Sequence, residues 1–121
     1  MSTVFIISEQ NEDNTFLKSI ASKLSCDGIR ADFRDIGYVL RHMAEQDCVG
    51  IIMDDFISFT ILERLGEKQK ILILKTPGKV PIDQFISALQ SGNPLGDKIF
   101  GCHRTTEEVM ELIPSTFFYG S

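Results

Sequence analysis

The sequence predicts an α/β fold, a single doubly wound sheet of five parallel strands in the order 2-1-3-4-5 with helices on both faces. Five short runs rich in Ile, Val, Leu and Phe suit strands that are buried on both faces. Amphipathic stretches of about ten residues separate these runs, and parallel strands need such crossover connections. The chain of 121 residues is long enough for one domain with its own core.

The strands are predicted at residues 3–8, 29–33, 48–53, 70–75 and 98–103. Their side chains are β-branched or aromatic at most positions, and in the second strand Ile29, Ala31 and Phe33 alternate toward the core. Crossover connections of this kind are right-handed, and five strand–helix units in a chain of this length fit the flavodoxin-like strand order.

The helices are predicted at residues 16–24, 36–46, 59–67, 82–92 and 105–113. Gly28 is suited to the C-terminal cap of the first helix, and the second helix is expected to bury Ile36. Thr105 and Glu108 have capping-box spacing at the start of the last helix, and Pro114 is expected to end it.

The composition excludes several classes of protein. A net charge of -5 argues against a domain that grips nucleic acid directly, because such domains need a basic surface. Cys26, Cys48 and Cys102 are far apart and form no CxxC pair, which predicts neither a zinc site nor a disulfide framework. The sequence contains no signal peptide and no apolar run that could span a bilayer, so we expect a cytoplasmic protein without membrane contact.

Polar side chains follow four of the predicted strands, where an open parallel sheet binds its ligands. The first strand is followed by an acidic loop, and the run "VGIIM" of the third strand ends on Asp54 and Asp55. The candidate residues at this edge are Ser8, Glu9, Gln10, Asp54, Asp55, Lys75, Thr76, Cys102, His103 and Arg104.

This arrangement resembles the receiver domain of two-component response regulators, in length and in element order over nearly the whole chain. The resemblance implies that Asp54 stands where the phospho-acceptor aspartate belongs and Thr76 where the accessory hydroxyl belongs, with Lys75 one residue away. Glu9 and Asp54 would hold Mg²⁺ in an active receiver, with Asp55 as a further oxygen ligand.

Three departures from the receiver pattern point to a degenerate site. The usual acidic pair after the first strand is replaced by Ser8 and Glu9, and the lysine that ends the fifth strand is replaced by Cys102, with His103 at the usual proline. The Pro- and Gly-containing loop after the acceptor is replaced by "DFISFT". Arg104 or Lys75 could supply part of the missing positive charge, although neither is predicted at the right strand end.

The leading interpretation is therefore a pseudo-receiver, such as those at the N-terminus of sigma-54-dependent transcription activators. The resemblance implies a regulatory module that is not an enzyme, needs no cofactor, and acts through a protein partner, an attached effector domain or a homodimer. The alternative is an active receiver phosphorylated on Asp54 by a histidine kinase. A third class, a small-ligand binder or enzyme of flavodoxin-like shape, lacks support because "SEQNEDN" has no glycine and no nucleotide-binding motif occurs.

The receiver-like domain is predicted over residues 1–121, with a core at 1–113 and a tail at 114–121. Phe117, Phe118 and Tyr119 make this tail aromatic. These side chains are expected either to pack on the domain or to enter an interface with a partner or a continuing chain.

Overall fold

A computed structural model describes residues 2–8, 15–76 and 98–117, together with Gln84, Ser87 and Ser91. Within these residues the chain forms a parallel sheet in the order β2-β1-β3-β4-β5, which confirms the predicted fold class. The elements in chain order are β1 Thr3–Ser8, α1 Thr15–Cys26, β2 Arg30–Phe33, α2 Ile36–His42, β3 Cys48–Asp54, α3 Phe59–Glu63, β4 Lys70–Lys75, β5 Ile99–His103 and α4 Thr106–Phe117.

The core lies in two layers, one on each face of the sheet. On one face Ile6, Ile52 and Leu72 pack with residues of α1 and α4. On the other face Ile51 and Ile71 pack with residues of α2 and α3. Successive residues of a strand point to opposite faces, so the continuous apolar runs of β3 and β4 supply both layers.

The strand register brings the polar edge of the sheet together. Ser8 of β1 is paired with Asp54 of β3, Asp54 with Leu74 of β4, and Leu74 with Cys102 of β5. The carboxyl ends of four strands therefore form one row, and residues just beyond that row can reach one another.

The predicted end of the last helix at Pro114 is wrong, because α4 continues through Pro114 to Phe117. Proline in a helix interior removes one backbone hydrogen bond and costs about 3 kcal/mol. Packing of Phe117 against the core layer that contains Ile52 offsets this cost, whereas the fully buried Thr116 leaves its hydroxyl without a hydrogen-bond partner among the described residues. Residues 114–117 are thus part of the helix, whereas Phe118 and Tyr119 lie outside the described residues.

The second and third helices are shorter than predicted. Asp35 caps α2 by accepting a hydrogen bond from the Tyr38 amide, and Ser58 caps α3 by accepting one from the Ile61 amide. The expectation that Ile36 is buried is wrong: its position in the first turn leaves it 38% exposed.

At the end of α1, Gly28 has φ +83° and follows the predicted C-terminal cap geometry, with the Ile29 amide bonded to the Leu24 carbonyl. The predicted helix at 82–92 lies outside the described residues except for Gln84, Ser87 and Ser91. None of the described helices is long and apolar enough to cross a membrane.

Candidate functional site

Asp54 is the last residue of β3, and its side chain is completely buried. Its Oδ1 accepts a hydrogen bond from Arg104 Nε at 2.6 Å. Its Oδ2 accepts one from Arg104 Nη2 at 3.1 Å and one from Ser8 Oγ at 3.0 Å. Both carboxylate oxygens are thus engaged by a two-pronged ion pair, the arrangement in which arginine binds carboxylates most strongly.

Arg104 follows β5 and is held in place by contacts with three other elements. Its backbone amide donates to the Lys75 carbonyl at 2.9 Å, which ties the β5–α4 connection to the end of β4. Its guanidinium carbon lies 4.5 Å from the centroid of the Phe16 ring in α1. Only 17% of the Arg104 side chain is exposed. Arg104 therefore connects the first helix, the centre of the sheet and the last crossover.

Arg104 lies one residue beyond β5, where the sequence predicted it, and its side chain nevertheless reaches Asp54. An arginine side chain is long enough to reach back from the residue after β5 across β4 to β3. The hydrogen-bond partners of Asp54 are the side chains of Arg104 and Ser8.

Asp55 forms a second, separate network. Its φ of 65° is in the left-handed region, which costs a non-glycine residue about 1–2 kcal/mol and persists only where neighbours enforce it. Its amide donates to the Leu74 carbonyl at 2.6 Å. Its Oδ1 and Oδ2 accept from the Thr76 amide at 3.0 Å and the Thr76 hydroxyl at 2.9 Å, and Lys75 Nζ lies 4.0 Å from Oδ1.

Each of the two adjacent carboxylates therefore has its own cation and its own hydroxyl. Arg104 and Ser8 neutralise and bond Asp54, while Lys75 and Thr76 do the same for Asp55. An incoming phosphoryl group would therefore have to compete with Arg104 and Ser8 for the oxygens of Asp54. Among the described residues, the edge of the sheet thus carries a salt-bridge network around two carboxylates.

The structure brings together some of the residues that the sequence proposed and separates others. Ser8, Asp54, Asp55, Lys75, Thr76 and Arg104 share contacts at the carboxyl edge. Glu9 and Gln10 lie outside the described residues. Among the described residues no group of three or more His, Cys, Asp and Glu side chains is arranged to hold a metal ion.

Cys102 and His103 do not contribute to the network around Asp54. Cys102 belongs to the core layer beneath α1 and α4, and burial raises the pKa of its thiol to about 12. Burial likewise raises the pKa of the Cys48 thiol to about 11. His103 Nδ1 is buried and has no hydrogen-bond partner in the described part of the chain.

Two features of the site escaped the sequence analysis. One is the pairing of Arg104 with Asp54, for which an arginine placed one residue beyond β5 was the available signal. The other is the role of Asp55, which binds Thr76 rather than serving as a spare metal ligand. No feature of the sequence indicated that Asp55 itself would adopt a left-handed backbone conformation, which directs its side chain away from Asp54 and toward Thr76.

No family model matches the chain, and no curated protein matches it. Among solved structures, the crystal structure of a diflavin flavoprotein A3 from Nostoc sp. superposes with a TM-score of 0.55. The two are 23% identical, and the match covers 95% of this chain and 86% of the other. At this level of identity the likeness establishes a flavodoxin-like fold and nothing finer.

Proposed function

We propose that this chain is a non-catalytic regulatory module of receiver type, which acts by binding a protein partner, an attached effector domain or a second copy of itself. The observation that carries the proposal is the two-pronged contact of Arg104 with the buried Asp54. Control of transcription through the partner or attached domain is the role that the receiver resemblance favours.

The charge at the acceptor position is the first support for this proposal. In an active receiver the acceptor aspartate lies beside further carboxylates, and a divalent metal and a lysine offset the negative charge of the phosphoryl group. Here Arg104 supplies a positive charge inside the fold, on the acceptor position itself. Phosphorylating Asp54 would require that this pair be broken first, which for a buried pair costs about 3–5 kcal/mol.

The contacts of Thr76 are the second support. Thr76 stands where a receiver uses a hydroxyl to bind the phosphoryl group, but its hydroxyl and its amide both donate to Asp55. A regulatory module that works by binding needs only a stable surface, and a salt-bridge network at this edge is compatible with that role.

The solved neighbour is a flavoprotein, yet flavin binding is not our proposal. The stretch "SEQNEDN", which starts at the last residue of β1, carries three acidic side chains and no glycine, whereas a flavodoxin needs a glycine- and hydroxyl-rich phosphate loop after this strand. Negative charge there would repel a phosphate group.

Intact-mass spectrometry after incubation with acetyl phosphate and Mg²⁺ tests the proposal. We expect the wild-type mass to remain unchanged. The variant Arg104→Met, which frees Asp54, and the variant Asp54→Asn, which has no acceptor, are measured beside it. A stable or transient gain of one phosphoryl group by the wild type, absent in Asp54→Asn, would establish the alternative of an active receiver. Titration with flavin mononucleotide, followed by flavin fluorescence, serves as the parallel test for the flavoprotein class.

A further inference from the structure

The connection between β3 and α3 is tied to the end of β4 by Asp55. Its backbone amide donates to the Leu74 carbonyl at 2.6 Å. Its carboxylate accepts from the Thr76 amide at 3.0 Å and from the Thr76 hydroxyl at 2.9 Å. The strand register ends where Asp54 pairs with Leu74, so these bonds continue the pairing one step beyond the sheet, with side-chain oxygens in place of a backbone carbonyl.

Asp55 is also held in a strained backbone conformation. Among the described residues it is the only non-glycine residue with a positive φ, at 65°. In this left-handed region the Cβ approaches the following carbonyl oxygen, and a residue other than glycine persists there only where neighbouring contacts enforce the conformation. The described contacts that do so are the bonds to Leu74 and Thr76. The backbone conformation of Asp55 and its contact with Thr76 therefore support each other.

The first turn of α3, which follows this connection, has few constraints of its own. The helix has five residues, and so short a helix is not stable without tertiary contacts. Its buried residues Ile61 and Leu62 anchor it in the core. At its start, Ser58 Oγ accepts from the Ile61 amide at 3.3 Å, which is long for a capping bond, and Phe59 is 63% exposed. The position of Phe59 therefore depends on the chain direction that Asp55 sets.

We propose that the contact between Asp55 and Thr76 is a conformational latch. While the latch is closed, Asp55 stays left-handed and the first turn of α3 is held in place. When Thr76 releases the carboxylate, the backbone of Asp55 relaxes to a negative φ, and the exposed Phe59 moves with it. The end of β4 and the surface around Phe59 are coupled in this way, whether or not Asp54 can be phosphorylated.

Three variants of Asp55 separate the effect of strain from the effect of lost hydrogen bonds. Asp55→Ala loses the bonds to Thr76 and keeps the steric penalty, Asp55→Gly loses both, and Asp55→Asn retains an oxygen for the Thr76 amide and tolerates the left-handed region. In two-dimensional amide NMR of the full chain, we expect the signals of residues 56–60 to shift or split most in Asp55→Ala, less in Asp55→Gly and least in Asp55→Asn. The three-bond coupling between the amide and α protons of residue 55 reports φ directly. Hydrogen exchange of the Thr76 amide should be at least about tenfold faster in Asp55→Ala than in the wild type.

The chain offers a matched control for the other half of the latch. Thr76→Val removes the hydroxyl bond to Asp55, and Thr3→Val removes an equivalent bond, from Thr3 Oγ1 to Asp47 Oδ2 at 3.1 Å, at the opposite edge of the sheet. Asp47 has no positive φ. We expect Thr76→Val to shift the signals of residues 56–60 and Thr3→Val to leave them in place.

Two results would overturn the latch and leave the contact as a static one. The first is that the signals of residues 56–60 stay in place in Asp55→Ala, or shift there no more than in Asp55→Asn. The second is that Thr76→Val and Thr3→Val affect these signals equally. If Asp55→Ala does not fold, the comparison of the two threonine variants decides the question.

Discussion

At the residue scale, the pair formed by Asp54 and Arg104 dominates the candidate site. The Asp54 side chain has no exposed surface and depends on Arg104 and Ser8 for its hydrogen bonds. Removing one partner of a buried pair leaves the other charge uncompensated, which is more costly than removing both. We therefore expect Asp54→Asn and Arg104→Met each to lower the free energy of unfolding by about 3 kcal/mol.

The double variant Asp54→Asn/Arg104→Met should be more stable than the sum of the single effects predicts, by about 2 kcal/mol. Urea denaturation of the four proteins measures this coupling. Additive effects of the two changes would show that the pair contributes little to the fold.

Asp55 provides a separate test of backbone strain. Asp55→Gly and Asp55→Ala both lose the hydrogen bonds to Thr76, but only alanine keeps the penalty of a positive φ at this position. We expect Asp55→Ala to be less stable than Asp55→Gly by about 1 kcal/mol, measured by thermal or urea denaturation. If alanine is as stable as glycine here, the left-handed conformation is not retained in solution.

The three thiols should differ in reactivity. Cys26 is exposed, whereas Cys48 and Cys102 are buried and have raised pKa values of about 11 and about 12. At pH 8 a thiol-specific disulfide reagent should label one cysteine in the native protein and all three in denaturant. The Cys26→Ala variant is the control, and it should show no rapid labelling when folded.

The same burial predicts a loss of stability at alkaline pH. An unfolded thiol loses its proton near the ordinary pKa of 9.0, while the folded thiols keep theirs until about 11 and about 12. The unfolded state therefore binds fewer protons above pH 9, and the free energy of unfolding falls as pH rises between about 9 and 12. Cys48→Ala and Cys102→Ala should each make this decline shallower.

At the element scale, the fit of α4 against the sheet rests on a glycine in β3. A Cβ added at Gly50 would lie 2.2 Å from Phe117 Cε1 and 2.9 Å from the Lys70 carbonyl oxygen. We expect Gly50→Ala to destabilise the protein by about 2 kcal/mol, because the ring or the strand must move. In a Phe117→Ala background the same change should cost about 1 kcal/mol or less, because only the Lys70 contact remains. An equal cost in both backgrounds would mean that Phe117 does not pack on Gly50.

Strands were predictable almost to the residue, because β1 and β4 are continuous apolar runs bounded by polar residues. Helix ends were less predictable. Pro114 reads locally as a stop signal, and only the packing of Phe117 explains why the helix continues past it. At this position tertiary contacts therefore outweigh the low helix propensity of proline, and tertiary context often overrides propensity in this way.

At the scale of the whole molecule, the parallel sheet explains which part of the site could be predicted. Strand order places Ser8, Asp54 and Thr76 at one edge, so their proximity followed from the sequence. The side-chain pairing did not follow, because a long side chain such as Arg104 can reach any of several partners across that edge. The contact between Arg104 and Asp54 is therefore set by the tertiary structure, and no sequence pattern specified it.

The most direct measurement of that contact is the NMR signal of the Arg104 side-chain Nε–H, assigned by its absence in Arg104→Met. The account predicts a protected, slowly exchanging signal, because Nε donates to the buried Asp54 at 2.6 Å. Addition of Mg²⁺ and beryllofluoride, which mimics a phosphorylated aspartate, should leave this signal and the amides of Asp54, Asp55 and Thr76 unchanged. Loss of the Arg104 signal together with shifts at those amides would contradict the account and establish Asp54 as a working phospho-acceptor.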